Sequence, residues 1–338
     1  MIHRISLPNR IVKGEGCIGE TAKVMRDLEF EKALVLFDEG TRRIAGEAVA
    51  AATKGDALLV GSATVKEVGR IAGLAASAHE VLIGVGGGSV IDLAKAASFK
   101  AGKPFFSVPT APSHDGIASS RASLSDGRTR TSIAAEPPTA VICDIEIMSK
   151  CPTRMYAAGC GDAISNITAV HDWKLAKEKG EYYGEYAAAL SLLSAETVIV
   201  NAERMAKDRV FGTDLLCESL ISSGIAMSIA GSSRPASGAE HLFSHALDEL
   251  CNKPALHGEQ VGVGAIMMAK LQGLDWEGIR DALAVLGAPT TAKEMGLKPE
   301  DVVNALVHAV KVRKQVTVLG KGLKRGEAER LARETGVI

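Results

Sequence analysis

The 338-residue chain carries no imbalance of charge: 39 Lys and Arg stand against 40 Asp and Glu, a formal net charge of -1. No overall field therefore draws it onto nucleic acid or an acidic membrane surface. It has no apolar run long enough to be read as a bilayer span. Its opening, MIHRISLPNRIVKGEG, lacks the apolar core of a signal peptide. Aromatic residues are few, 4% of the chain. The six cysteines (Cys17, Cys143, Cys151, Cys160, Cys217 and Cys251) form no CxxC pair. An even number permits a disulfide set, but a chain this long with no export signal is expected to keep reduced thiols in the cytoplasm. No internal repeat or low-complexity tract is visible.

What remains is an ordinary globular composition, 46% apolar and 23% charged, over a length suited to two domains. In the first half, short apolar runs alternate with Ala-rich amphipathic stretches. The runs are Lys32 to Phe37, Ala57 to Val60, Val81 to Val85, Phe105 to Val108 and Thr139 to Cys143. Continuous apolar strands alternating with helices predict a Rossmann-like parallel sheet covered on both faces. The opening ISLPNRIVKG reads as an extra edge strand or hairpin. From about Thr153 the strand signal stops. Helical periodicity follows over Tyr186 to Ala206, Leu215 to Ala230, Gly238 to Leu250, Gly258 to Leu271, Trp276 to Leu286, Pro299 to Val312 and Gly326 to Thr335. The expected organisation is an α/β domain, 1–150, and an all-α domain, 151–338, with the boundary near Ser149 to Pro152.

Glycine is abundant, at 35 residues, and it marks the first chemical motif. V85-G-G-G-S-V-I-D-L-A-K follows a predicted strand and opens a predicted helix. Glycines let an anion approach the backbone, and the N–H groups and dipole of the helix start attract it. Ser89 stands where GxGxxG has its third glycine, and no GK[ST] follows, so the segment is neither of those motifs. A tight strand-to-helix turn with no ligand is an equal reading. Asp38, at the end of the first apolar run, suits a ribose hydroxyl and would repel a 2′-phosphate, which leans toward NAD. It also suits a helix cap.

A second constellation is ligand-like. Asp162 lies in G159-C-G-D-A-I-S-N166, where a helix is expected to begin. His241 and His245 lie four apart in G238-A-E-H-L-F-S-H-A-L, on one helix face. His257 lies in A255-L-H-G-E-Q at the head of another helix. Two imidazoles and a carboxylate make a three-donor set for catalytic zinc with one position open. The chain holds eight histidines, and no HExxH is present, so spacing alone leaves surface or helix-end histidines as the alternative.

Taken together, GVGGGSVIDLAK (84–95), SVPTAPSHDGIASSRASL (107–124), GCGDAIS (159–165), SRPASGAEHLFSHAL (233–247) and LHGEQVGVG (256–264) resemble the sn-glycerol-1-phosphate dehydrogenases. These belong to the iron- and zinc-dependent polyol dehydrogenase superfamily that also contains dehydroquinate synthase. The resemblance implies a dehydroquinate synthase-like fold, with a dinucleotide-binding first domain and a metal- and substrate-binding second one. It implies NAD or NADP against Gly86, Gly87, Gly88, Ser89 and Asp92, with Thr110, Ser113 and Ser119 lining the cofactor. It places one zinc ion per chain on Asp162, His241 and His257, and substrate contacts at Asp115, Asp162 and His245. The iron-dependent relatives have a fourth ligand, a histidine, where this chain has Asn166, which favours zinc.

The reaction implied is reversible reduction of dihydroxyacetone phosphate to sn-glycerol 1-phosphate, with the metal polarising the C2 carbonyl, in archaeal-type ether phospholipid synthesis. Asp162, His245 and Asp115 are the expected catalytic set, with His245 relaying a proton or holding substrate. Arg234 and Ser233, with Lys253 behind them, are the candidates for the substrate phosphate. A small-molecule substrate, a homo-oligomer, and neither nucleic acid nor an integral membrane segment complete the expectation. Three other readings stay open. They are a glycerol or other polyol dehydrogenase without a phosphate requirement, a lyase-type relative of dehydroquinate synthase, and a non-enzymatic module.

Overall fold

The computed structural model describes residues 5–125, 130–251 and 255–338. The chain divides into two compact units, Met1–Pro152 and Thr153–Ile338.

The first unit carries strands β1 (Arg10–Gly14), β2 (Ala33–Phe37), β3 (Asp56–Leu59), β4 (Val81–Gly86), β5 (Phe105–Pro109), β6 (Arg121–Ser125), β7 (Arg130–Ala134) and β8 (Ala140–Asp144). Its helices are α1 (Glu20–Asp27), α2 (Glu39–Thr41), α3 (Glu47–Thr53), α4 (Val65–Ala78), α5 (Gly88–Ala101) and α6 (Ile145–Ser149). Six strands form one sheet in the order β1-β8-β5-β4-β2-β3, and every pairing in it is parallel.

The period of two explains why the runs are continuously apolar. Leu34 and Leu36 of β2 enter a core with Leu82, Ile91 and Leu93. Ala33, Val35 and Phe37 enter the opposite core with Ile83, Val85 and Phe106. Both faces of the strand are buried, so neither can be polar. The opening segment becomes the edge strand β1, paired with β8. The antiparallel pair β6–β7 has no strong sequence signal, because RASLS offers only Ala122 and Leu124 to the core.

Connections from β2 run outward to β3, while those from β4 run the other way to β5. The C-terminal ends of β2 and β4 therefore flank the switch point, where open parallel sheets bind ligands.

The second unit is helical: α7 (Thr153–Glu178), α8 (Glu185–Val200), α9 (Ala202–Lys207), α10 (Arg209–Ala230), α11 (Ala239–Leu250), α12 (His257–Gln272), α13 (Trp276–Val285), α14 (Pro299–Val312) and α15 (Arg325–Glu334). The single helix expected over Tyr186 to Ala206 is broken at Asn201. The helix expected to start at Asp162 starts nine residues earlier, at Thr153. Gly159 and Gly161 are helix-interior residues, not a helix start. Contrary to the reading of apolar runs, α10 is long and apolar enough to cross a membrane by length and composition. Leu216, Leu220, Ala226 and the hydroxyls of Thr213, Ser219 and Ser223 are nonetheless buried within the unit.

Candidate active site

Three helices of the second unit carry the expected metal ligands. Asp162 lies on α7, His241 on the first turn of α11 and His257 at the first position of α12. α7 and α12 meet at glycine. A Cβ on Gly258 would lie 1.9 Å from the Ala158 carbonyl oxygen, and one on Gly161 would lie 2.3 Å from the Gly258 carbonyl oxygen. Bare backbone there lets the helices cross close enough to bring Asp162 beside His257.

The donor atoms of Asp162, His241 and His257 all lie within 4.8 Å of one another. His257 Nε2 is 3.3 Å from His241 Nε2 and 3.7 Å from Asp162 Oδ1. Donors about 2.0–2.1 Å from a tetrahedral zinc stand about 3.3–3.4 Å apart, so the spacing fits a shared ion.

The hydrogen-bond network assigns the ring protons. His241 Nδ1 lies 2.9 Å from Glu240 Oε1. Burial alone would raise the Glu240 carboxyl, but His241, the Gly238 N–H and the Thr168 hydroxyl hold it below the usual carboxylate range. An ionised Glu240 only accepts, so His241 Nδ1 carries its proton. His257 Nδ1 lies 3.1 Å from Ser244 Oγ, whose own proton goes to Gln260 Oε1 at 2.5 Å. His257 Nδ1 therefore donates as well. Both Nε2 atoms are left with lone pairs, facing each other at 3.3 Å beside a carboxylate, an arrangement that asks for a cation.

His245 packs its ring against His257, centroids 6.2 Å apart. Its Nδ1 is buried and has no hydrogen-bond partner among the described residues. Burial, then the charges of His241 and Arg313, push its pKa down to about 4. An orphaned buried nitrogen costs about 1–3 kcal/mol, which a ligand in the site would recover. Arg313, at the end of α14, reaches Ser237 Oγ at 3.2 Å and Gln315 Oε1, and its charge reaches His245. Behind α11, Asp172 accepts from Ala239 N and Val318 N at 2.7 Å each and from Gln272 at 3.0 Å. Burial and the neighbouring Glu240 raise its pKa to about 7.

The first unit assembles the glycine loop. β4 ends at Gly86, Gly87 caps α5 with no side-chain hydrogen bond, and the space where a Gly87 side chain would stand is open. Ser89 is exposed on the first turn. Thr110 continues the sheet, donating its N–H to Gly86 O at 3.0 Å, and is buried, as is Ser119. Ser113 and Asp115 are half-buried. The His114 ring presses on the loop: a Cβ on Gly88 would lie 2.2 Å from its Nε2.

Asp92 points inward, accepting from Ser123 N at 3.0 Å. It stands 3.6 Å from the ammonium of Lys95, which is wholly buried and donates to Gly116 O at 2.5 Å and Arg121 O at 2.6 Å. Burial lowers the Lys95 pKa against the pull of Asp92 and Asp115. Asp38 caps α2, its Oδ1 accepting from Thr41 N at 2.8 Å and Thr41 Oγ1 at 2.7 Å. The capping reading of Asp38 is thus realised.

Arg234 pairs with Glu181 and donates to Val316 O at 2.9 Å. Ser233 precedes the short turn Arg234–Ala236, and Lys253 lies outside the described residues. Asn166, four residues after Asp162, donates to Ser223 Oγ at 3.1 Å. Sequence reasoning missed Glu240, Lys95, His114 and Arg313. Glu240 and Lys95 share their helical stretches with other charges, Asp248 and Glu249 in one and Asp92 and Lys100 in the other, so nothing in the pattern sets them apart.

The family model described as iron-containing alcohol dehydrogenase matches residues 12–152. Glycerol-1-phosphate dehydrogenase (NAD(P)+) of Pyrococcus abyssi is 51% identical over 100% of both chains. That of Methanosarcina acetivorans is 49% identical over 99% of this chain and 96% of its own. Among solved structures, a probable glycerol dehydrogenase from Sinorhizobium meliloti 1021 superposes with a TM-score of 0.81 at 20% identity, over 99% of this chain and 98% of that one. Glycerol dehydrogenase from Schizosaccharomyces pombe gives 0.82 at 18%, over 99% and 90%. At that identity these two speak for the fold alone, whereas the half-identity along the entire length means that the chain belongs to the glycerol-1-phosphate dehydrogenase family.

Proposed function

We propose that the chain catalyses the reversible NAD(P)H-dependent reduction of dihydroxyacetone phosphate to sn-glycerol 1-phosphate, with one zinc ion held by Asp162, His241 and His257, in ether phospholipid synthesis of the archaeal type. The observation that carries the reading is the pair of Nε2 lone pairs converging beside Asp162. The reaction needs a Lewis acid at the C2 oxygen, and an ion bound there polarises that carbonyl as charge develops.

Gly86, Gly87, Gly88 and Ser89 would receive the dinucleotide pyrophosphate on the N–H groups of α5, with Thr110, Ser113 and Ser119 along its path. The inward geometry of Asp92 supports a positioning role for it. Asp38 keeps its lean toward NAD through the carboxylate oxygen that Thr41 does not occupy. His245 would hold a substrate oxygen or relay its proton, with Asp115 as a further substrate contact. For the phosphate, Arg313 replaces Arg234, because the Arg234 charge is already matched by Glu181. A phosphate requirement separates this reading from a polyol dehydrogenase.

A cytoplasmic location is supported by six cysteines with no disulfide among them. A homo-oligomer is supported by an exposed stripe of Tyr186, Leu193 and Val200 at seven-residue spacing on α8. His241→Ala tests the metal centre: zinc content and turnover should vanish together while the circular dichroism spectrum holds. Full activity in the metal-free variant would overturn the assignment.

A further inference from the structure

Glu240 is fully buried, and its contacts define an unusual balance. Oε1 accepts from Gly238 N at 2.6 Å and lies 2.9 Å from His241 Nδ1, while Oε2 accepts from Thr168 Oγ1 at 2.7 Å. No Lys or Arg pairs with it among the described residues. A second carboxylate, Asp172, lies close enough for the Glu240 charge to raise its pKa. Capping the N-terminus of α11 does not account for an ion in this place. A Ser or Asn would cap it, and burying a carboxylate without a counter-charge costs far more than a cap returns.

A cation shared by the three donors Asp162, His241 and His257 would lie one imidazole away. His241 Nδ1 points at Glu240 and His241 Nε2 at the position shared by His257 and Asp162. All three ligand-bearing helices converge on this residue. Thr168 belongs to α7, Glu240 itself to α11, and a Cβ on Gly264 of α12 would lie 3.1 Å from Glu240 Cα.

We infer that Glu240 is the positioning residue that sets the metal affinity of the site. It fixes the His241 tautomer with Nε2 open, and its charge together with that of Asp162 balances a divalent ion. The inference rests on the metal reading above and adds to it a residue that touches neither metal nor substrate.

Glu240→Gln is the discriminating change. The amide oxygen can still accept from Gly238 and His241, and its NH2 can donate to Thr168 Oγ1, whose own proton can go to Ser165 O at 2.9 Å. Shape and helix cap stay, and only the charge leaves. The measurement is zinc competition against a chromogenic chelator on metal-stripped full-length protein, with the melting temperature of the metal-free form alongside. Zinc affinity should fall about 10- to 100-fold, with the metal-free melting temperature nearly unchanged.

Affinity within about twofold of wild type would reduce Glu240 to a helix cap, because a merely structural residue changes the melt and not the affinity. If Glu240→Gln does not fold, Glu240→Asp carries the test. It keeps the charge but withdraws it from His241 by one methylene, and it should also lose about tenfold in affinity; unchanged affinity would again refute the inference. Wild-type protein that binds no divalent ion at all would instead overturn the metal reading, and this inference with it.

Discussion

Gly258→Ala should uncouple the metal site without touching a ligand. The added Cβ would sit 1.9 Å from the Ala158 carbonyl oxygen, where a carbon–oxygen contact needs about 3.3 Å. Backbone oxygen in a helix interior has no rotamer to escape into, so α12 and α7 must part by about 1.4 Å at that point. His257 is the neighbouring residue and Asp162 lies one turn along α7, so the parting falls on their 3.7 Å separation.

Zinc coordination tolerates about 0.2 Å in donor distance. A shift several times larger should weaken zinc binding by about 100-fold or more, while overpacking lowers stability by only about 1–3 kcal/mol. Gly262→Ala on the same helix is the control. Its Cβ would lie 3.2 Å from Gly161 Cα, which a few tenths of an ångström relieves. Chelator competition on both variants, with thermal melts, reads the two effects separately. Zinc affinity in Gly258→Ala within about threefold of wild type, less than ~0.7 kcal/mol, would refute the claim that glycine packing sets the ligand geometry.

Two further outcomes follow from the same structure. Arg313→Gln should raise the KM for dihydroxyacetone phosphate about 10- to 100-fold, the ~1.5–3 kcal/mol worth of a hydrogen bond to a charged group. It should also narrow the kcat/KM ratio between phosphorylated and unphosphorylated dihydroxyacetone, and an unaltered ratio would remove Arg313 from the phosphate site. Lys95→Met removes the ammonium that ties Gly116 and Arg121 together beneath the glycine loop. Steady-state kinetics should show the dinucleotide KM rising about tenfold, ~1.4 kcal/mol, with the substrate KM little moved. A change confined to the substrate KM would contradict the positioning role.

The sheet was legible because both faces of β2, β4, β5 and β8 are buried, which leaves four uninterrupted apolar runs to read, while the fifth run falls on the largely exposed edge strand β3. The candidate ligand set was legible through the family resemblance, because spacing alone leaves surface or helix-end histidines as the alternative. Asp162 was singled out on a misplaced helix boundary. Its flanking glycines signal a break in the local code, yet Gly161 meets α12, about a hundred residues downstream. Glu240, Lys95 and Arg313 escaped for a related reason. A charge in a helical stretch reads as a solvated face, and only the fold reveals that the partners are Thr168 and His241 for Glu240, Gly116 and Arg121 for Lys95, and Ser237 for Arg313. The β6–β7 hairpin escaped because its register is held by backbone pairing, with little apolar pattern to announce it.

Metal choice follows from donor number more than from donor type. The family model carries iron in its description, and imidazole with carboxylate suits either metal. In this chain the helical position after Asp162 that would point a fourth side chain toward the site is Asn166, and its amide is already spent on Ser223 of α10. Three donors would leave a single open position on a tetrahedral ion, the arrangement that the zinc proposal requires. An octahedral ion would need three ligands beyond the protein's own. Glu240 reinforces the preference. On the positioning role proposed for it, a His241 held by its Nδ1–H at 2.9 Å would favour short, fixed donor distances, and an ion that needs a wider or more adaptable shell would gain less from it.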